Sequence, residues 1–180
     1  VWASRLFNTP LPERVAGIDL MESLVKLSAQ KKYKIFFLGA KEEIVNTVVN
    51  FYSNLYGKDI IAGYRNGYFK KEEEHNVARQ ISDSNADILF VAMSSPKKEI
   101  FLNTYKDLIQ TPFIMGVGGS FDVVAGHVKR APLWMQKSGL EWFYRVMQEP
   151  RRMWKRYLFG NSEFIYLVLK EKGKQIFKTK

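Results

Sequence analysis

Four short apolar runs alternate with longer segments of helical periodicity, and this alternation limits the possible folds more than any other feature of the chain. The runs are Lys34–Gly39, Asp59–Tyr64, Asp87–Met93 and Pro112–Val117. Continuous apolar runs of this length suit strands buried on both faces, as in parallel sheets. Between them the apolar residues recur at helical spacing. Ile18, Met21, Val25 and Ser28 mark one face of a segment running from Glu13 to about Lys32, with Pro12 suited to its first turn. Ile44, Val48, Tyr52 and Leu55 align over Lys41–Tyr56, and further helices are expected over Lys70–Ser82 and from Pro96 to Ile109. Ser95 is the expected N-cap of the last of these. The prolines and Asn8-Thr9 of Val1–Pro12 read as a strand end entering a loop. The pattern predicts an α/β fold: a doubly wound, mainly parallel sheet with helices on both faces. Ligands of such sheets bind at the carboxyl ends of the strands. The relevant loops follow Leu38, Tyr64, Met93 and Val117.

After Gly126 the periodicity is helical only. The segments Leu133–Ser138, Leu140–Gln148, Arg151–Phe159 and Ser162–Lys172 are separated by Gly139, Pro150 and Gly160. Charge changes at the same place. The chain carries +10 in 180 residues. Residues 127–180 hold 13 Lys/Arg against 4 Asp/Glu, or +9, and residues 1–126 hold the remaining 15 against 14, or +1. Two domains are expected: residues 1–126 as an α/β core and residues 127–180 as a helical, basic, aromatic-rich appendage. A basic face attracts phosphates, whether on nucleic acid, anionic lipid or a diphosphate. A nucleic-acid partner is not expected, because neither the aromatic pattern of RNA-recognition sheets nor a helix-turn-helix signature is present.

There is no cysteine, so disulfide and thiolate chemistry are excluded, which fits a cytoplasmic protein. No run approaches the roughly 20 apolar residues of a spanning helix. His75 and His127 are the only histidines and stand in unrelated contexts, so neither a metal site nor a cofactor is expected. The chain starts at Val1 rather than Met, and an N-terminal piece is expected to be missing.

Several stretches carry candidate chemistry. Ser94-Ser95-Pro96-Lys97-Lys98-Glu99 brings hydroxyls and lysines to a helix N-terminus, where free N–H groups can hold a phosphate; the alternative is an ordinary cap with solvated lysines. Gly116-Val117-Gly118-Gly119-Ser120-Phe121-Asp122 is a glycine-rich loop without a P-loop lysine. Asp122 there can accept ribose hydroxyls or simply cap a turn. Arg14 alone reads as a surface arginine. Arg145, Arg152 and Arg156 share one helical face if the helix continues through Pro150, with Trp142 and Trp154 among them. Arginine binds diphosphate bidentately, and Trp and Tyr favour membrane interfaces.

Five segments together resemble the WecG/TagA/CpsF glycosyltransferase family, in order and spacing over nearly the whole chain. They are Glu13–Asp19, Gly63–Phe69, Ser95–Glu99, Gly116–Gly126 and Arg130-Ala131-Pro132 through Arg151-Arg152. The resemblance implies an inverting UDP-sugar-dependent transferase for N-acetylmannosamine or a related sugar. Its acceptor would be a polyprenol-diphosphate-linked sugar, and the enzyme would sit peripherally at the cytoplasmic membrane face. The TagA branch makes the linkage unit of wall teichoic acid. Catalytic roles are implied for Arg14, Lys98, Arg145 and Arg152, and substrate binding for Tyr68, Ser95, Lys97, Gly118, Gly119 and Asp122. The appendage would close over the site and dock on an anionic membrane, and the resemblance leaves room for a homo-oligomer. The family's usual Pro-Lys-Gln-Glu signature has Lys98 in place of Gln, and the family's general-base Asp is expected upstream of Val1. A UDP-sugar-binding module with impaired catalysis is the alternative.

Overall fold

The computed structural model describes the backbone of residues 2–12 and 14–178. The side chains of residues 2, 152, 153, 155–157 and 175–178 lie outside the described set. The chain divides into two compact units, one of residues 15–128 and one formed by residues 1–14 with 129–180.

The first unit holds four parallel strands, β1 (Ile35–Gly39), β2 (Ile61–Arg65), β3 (Ile88–Ala92) and β4 (Phe113–Gly116), in the order β2-β1-β3-β4. β1, β3 and β4 each lie within one apolar run, whereas β2 starts two residues into Asp59–Tyr64, after a 3-10 turn at Lys58–Ile60, and runs on to Arg65. β1 is central, and Ile35, Phe36, Phe37 and Leu38 are all fully buried. Alternate residues of a strand face opposite sides, and the core divides accordingly. Phe37 and Phe90 join Met21, Val25, Val48, Tyr52 and Phe121 on one face of the sheet. Phe36, Leu38, Leu89 and Val91 join Val77, Ile81, Phe101 and Ile109 on the other. The covering helices are α2 (Gly17–Lys31) and α3 (Glu42–Tyr56) on the first face, and α4 (Glu74–Asp83), α5 (Lys97–Thr104) and α6 (Lys106–Ile109) on the second. The doubly wound, parallel α/β architecture expected from the sequence is therefore present. Burying each such large side chain contributes roughly 1.5–3 kcal/mol. Phe37 is the keystone of its face, with ring centroids 5.8–5.9 Å from Tyr52, Phe90 and Phe121.

Local details depart from the sequence reading. Residues Trp2–Leu6 form a helix, α1, rather than a strand end. Ala3, Arg5 and Leu6 favour helix, and the two prolines fall only after it. α2 begins at Gly17, not Glu13, after Ala16 in extended conformation. The buried stripe starts at Ile18, and a helix is stabilised chiefly where its apolar face packs. That stripe is Ile18, Met21, Val25 and Ser28, as the periodicity predicts. On α3, Leu55 is exposed: the buried face runs through Ile44, Val45, Val48, Val49 and Tyr52, and in the last turn it is Tyr56 that packs on the core. The helix expected through Ile109 divides at Tyr105, whose ring packs on Phe101 and His75. Pro96, not Ser95, holds the cap position of α5, and no side-chain cap bond forms.

The second unit is helical: α1, α8 (Leu133–Lys137), α9 (Glu141–Gln148) and α10 (Pro150–Lys178). α10 opens with Pro150, a favoured first position, and runs through Gly160 without a break. An interior glycine costs only about 1 kcal/mol relative to alanine, too little to end a helix of 29 residues. Specific polar contacts tie this unit together. Lys172 donates to the Leu6 carbonyl at 2.8 Å, and the Gln148 amide exchanges two 2.9 Å bonds with the backbone of Lys129. Among the described residues, no helix is long and apolar enough to cross a membrane.

Candidate functional site

In the first unit the chain runs from β1 outward to β2, then returns to place β3 on the other side of β1. This reversal makes the carboxyl ends of β1 and β3 the topological switch point, the usual ligand position in open α/β sheets. Two glycines shape it. Gly39 ends β1 at φ +124°, and a Cβ there would stand 2.4 Å from the Ala92 carbonyl oxygen. A Cβ on Gly67 would meet Gly39 Cα and Met93 Cγ at 3.1 Å each. The backbone needs this closeness, because Ala40 N–H donates to Ala92 O and Gly67 N–H donates to Ala40 O, both at 2.9 Å. The loop after β2 thus folds back across β1 toward β3.

That loop is fastened along its length. Asn66 donates to Glu42 Oε2 at 2.6 Å and accepts from Tyr68 N–H at 2.9 Å. Arg65 pairs with Glu73 at 3.3 Å, and the same carboxylate accepts from Lys70 N–H at 2.8 Å. The Lys97 ammonium donates to the carbonyls of Gly67 and Phe69, each at 3.2 Å, and lies 4.4 Å from the centre of the Phe69 ring. Phe69 is buried against Phe101, whereas Tyr68 beside it is 77% exposed.

The loop after β3 carries Ser95, Lys97 and Lys98. Ser95 is exposed. Lys98 Nζ reaches Glu99 Oε1 at 2.9 Å, and the Lys98 chain lies over Gly116 at the end of β4, where an added Cβ would meet Nζ at 2.9 Å. Residues 94–99 and 116–122 are therefore side by side. The hydrogen bond from Lys98, aided by the Glu99 backbone and the Ser95 hydroxyl, holds the Glu99 carboxyl below its ordinary range.

In the loop after β4, the Ser120 hydroxyl donates to Val117 O at 2.7 Å and closes the turn. Gly118 takes φ +53° with open space where a Cβ would stand. Asp122 is half-buried on the short helix α7 (Ser120–Val124), whose Phe121 is locked into the core. Tyr68, Ser95, Lys97, Lys98, Gly118, Gly119 and Asp122 thus all follow strand carboxyl ends, and the parallel topology puts them along one edge of the sheet. A separate depression of about 460 Å³ lies between α4 and β2, lined by Phe36, Gly63, Asn76, Arg79 and Gln80 among others, with none of the sequence-predicted site residues.

The second unit holds the arginines. Arg14 donates to Glu141 Oε2 at 2.5 Å. Arg145 lies on α9, and Arg152 falls in the first turn of α10, its side chain outside the described residues. Glu149, at φ −131° and ψ 60°, separates the two helices. The condition for one face shared by Arg145, Arg152 and Arg156, a helix continuing through Pro150, is not met: Pro150 starts a new helix, which carries Arg152 and Arg156 but not Arg145.

The family model for the glycosyl transferase WecG/TagA/CpsF family matches residues 1–177. This chain belongs to the WecG/TagA/CpsF family. It is 41% identical, over its whole length, to a Bacillus subtilis protein named N-acetylglucosaminyldiphosphoundecaprenol N-acetyl-beta-D-mannosaminyltransferase, of which it covers 69%. A Bacillus spizizenii protein of the same name is 39% identical over 94% of the chain, which covers 65% of that relative. The chain thus spans about two thirds of the length of these WecG/TagA/CpsF relatives. Within this family chain, sequence reasoning missed three participants: Gly39, Glu42 and Glu141. Gly39 had a signal, as a glycine closing an apolar run. The two glutamates had none, because their partners Asn66 and Arg14 are distant in sequence.

Proposed function

We propose that this chain is an inverting glycosyltransferase that moves N-acetylmannosamine, or a related sugar, from a UDP-sugar to a polyprenol-diphosphate-linked sugar in surface-polymer synthesis. One observation carries this reading. In a chain of this family, with mannosaminyltransferases among its relatives, six residues expected to bind substrate and Lys98, expected to be catalytic, lie on three loops along one sheet edge. Inversion requires a base to take the proton of the acceptor hydroxyl as its oxygen attacks C1 of the sugar. The C1–O bond to UDP breaks on the opposite face through an oxocarbenium-like transition state. Negative charge then builds on the departing diphosphate. Lys98 and the first N–H groups of α5 supply positive potential for it, and Arg14, Arg145 and Arg152 are proposed to serve the same charge. Gly118, Gly119 and Asp122 hold the uridine part.

The test is UDP binding by calorimetry, together with product mass spectrometry on a UDP-sugar panel and a short-chain lipid acceptor, using the full-length protein. UDP affinity unchanged in both Asp122→Ala and Gly119→Trp would refute the donor site. A binding module with impaired catalysis is the second reading. It is favoured by the Lys98–Glu99 pair, which offsets the lysine lying over Gly116 at the end of β4. UDP binding without turnover of any panel donor would select it.

The second unit is proposed to dock on an anionic membrane surface. Residues 127–180 carry +9, and α10 exposes Phe159, Phe164, Ile165, Tyr166, Leu167 and Leu169. Each basic residue near an anionic surface adds roughly 1 kcal/mol, and salt screens it. Co-sedimentation with anionic vesicles should be strong at low salt and weak at high salt.

A further inference from the structure

We infer that Glu141 is a positioning residue for the transfer reaction: it holds Arg14 beside Arg145, so that two guanidinium groups stand ready as a pair before the donor arrives. This rests on the transferase reading above, in which both arginines serve the departing diphosphate, and it names the group that sets their places.

Arg14 lies in the irregular stretch between α1 and α2, outside any helix or strand. An arginine on such a stretch gives up rotamer freedom when it grips a ligand, and a group held in place beforehand avoids that cost. The bond from Arg14 Nη1 to Glu141 Oε2 supplies the hold. It takes one of the five N–H donors of the guanidinium, so the group is aimed without being used up.

The acceptor is itself well fixed. Glu141 is the first residue of α9, where the helix macrodipole favours a carboxylate. Arg145 follows one turn on, and residues four apart on a helix are neighbours. Gln148 comes at the next turn of that face, and its amide exchanges two 2.9 Å bonds with the backbone of Lys129. Glu141, Arg145 and Gln148 thus share one face of α9, fastened to Arg14 at one end and to Lys129 at the other. Arg145, between the two fastenings, is half-buried with its Nε out of solvent. Two guanidinium groups gathered for a diphosphate repel each other until it binds, and a carboxylate beside both offsets that repulsion. An ion pair this exposed contributes little to stability. Its consequence is where it keeps the guanidinium, not how firmly it holds the fold.

The test is a kinetic double-mutant cycle on the full-length protein, with UDP-N-acetylmannosamine and a short-chain lipid acceptor. The variants are Glu141→Ala, Glu141→Gln, Arg14→Ala and the Glu141→Ala/Arg14→Ala double variant. Glu141→Ala should lower kcat about tenfold with the donor KM little changed, because charge builds on the diphosphate only as the C1–O bond breaks. Glu141→Gln should recover most of that loss, since its amide oxygen still accepts from Arg14. In the Arg14→Ala background, Glu141→Ala should add nothing. Equal losses from Glu141→Ala in the wild-type and Arg14→Ala backgrounds would show that Glu141 acts on its own and would overturn the inference. Glu141→Gln as impaired as Glu141→Ala would mark the carboxylate as a proton acceptor and overturn it too, as would a normal kcat in Glu141→Ala. Normal turnover in Arg14→Ala would remove the reading of Arg14 as a diphosphate ligand. A wild-type protein that transfers no donor sugar would remove the transferase reading itself, and either result takes this inference with it.

Discussion

Arg14 and Glu141 are 127 positions apart, yet the guanidinium of one donates to the carboxylate of the other at 2.5 Å. Both side chains are partly exposed, and exposed pairs contribute roughly 0.2–1 kcal/mol. The pair can therefore hold Arg14 in place without being important for stability. Arg14→Ala should cost less than about 1 kcal/mol in urea denaturation while lowering turnover at least about tenfold, as expected for loss of one charged hydrogen bond to a developing charge. Glu141→Gln should cost similarly little stability. A stability loss of several kcal/mol with normal turnover would assign Arg14 a purely structural role.

Two glycines at the sheet edge should respond differently to the same change. Gly39→Ala meets both a positive φ and a backbone oxygen at 2.4 Å, whereas Gly118→Ala meets a positive φ in open space. Backbone strain costs roughly 1–3 kcal/mol at such positions, and overpacking adds a similar amount. Gly39→Ala should lose about 3 kcal/mol or more and Gly118→Ala about 1 kcal/mol. Urea midpoints measure both, and equal losses would show that the contact with Ala92 does not constrain Gly39.

The Glu99 carboxyl titrates below its ordinary value of 4.5, first because of its hydrogen bond with Lys98. A carboxylate pKa depressed by folding contributes stability that is present above the unfolded value and is lost as pH falls through the folded one. The Lys98–Glu99 contact should therefore survive through the normal carboxylate range and release only at more acid pH. Lys98→Met should move the Glu99 titration upward toward 4.5, followed by NMR of the side-chain carboxyl. An unmoved titration would show that the backbone and Ser95 set it instead.

Tyr52 stacks on Phe37 with its ring planes 17° apart, and its buried hydroxyl has no hydrogen-bond partner among the described residues. Burial pushes this phenol well above the usual tyrosine range. An unpaired buried hydroxyl is a desolvation cost of roughly 1–3 kcal/mol. Tyr52→Phe keeps the ring and removes that cost, so it should leave stability unchanged or raise it. A loss above about 1 kcal/mol would reveal a partner for the hydroxyl.

The sequence by itself determined the parallel sheet, its four strands and most of the faces that helices present to it. Met21 and Val25, Phe37 and Phe90 were legible as core because burial on a strand or helix follows from the local backbone period. It also placed the loops that bear Tyr68, Lys98 and Asp122 at strand ends, and the order of those motifs was enough to show the family resemblance. Local signals misled where a contact outside the segment decided the matter. Leu55 kept the helical spacing but lost its place on the core to Tyr56, and Gly160 looked like a break that a long helix absorbed. Only the tertiary structure decided what the charged groups do. Lys97 and Lys98 are adjacent and chemically alike, yet one is committed to two carbonyls of the β2 loop and the other lies across Gly116 beside Glu99. A lysine side chain is long and flexible, so its partner depends on which acceptors the strand order brings within reach, and no local periodicity records that.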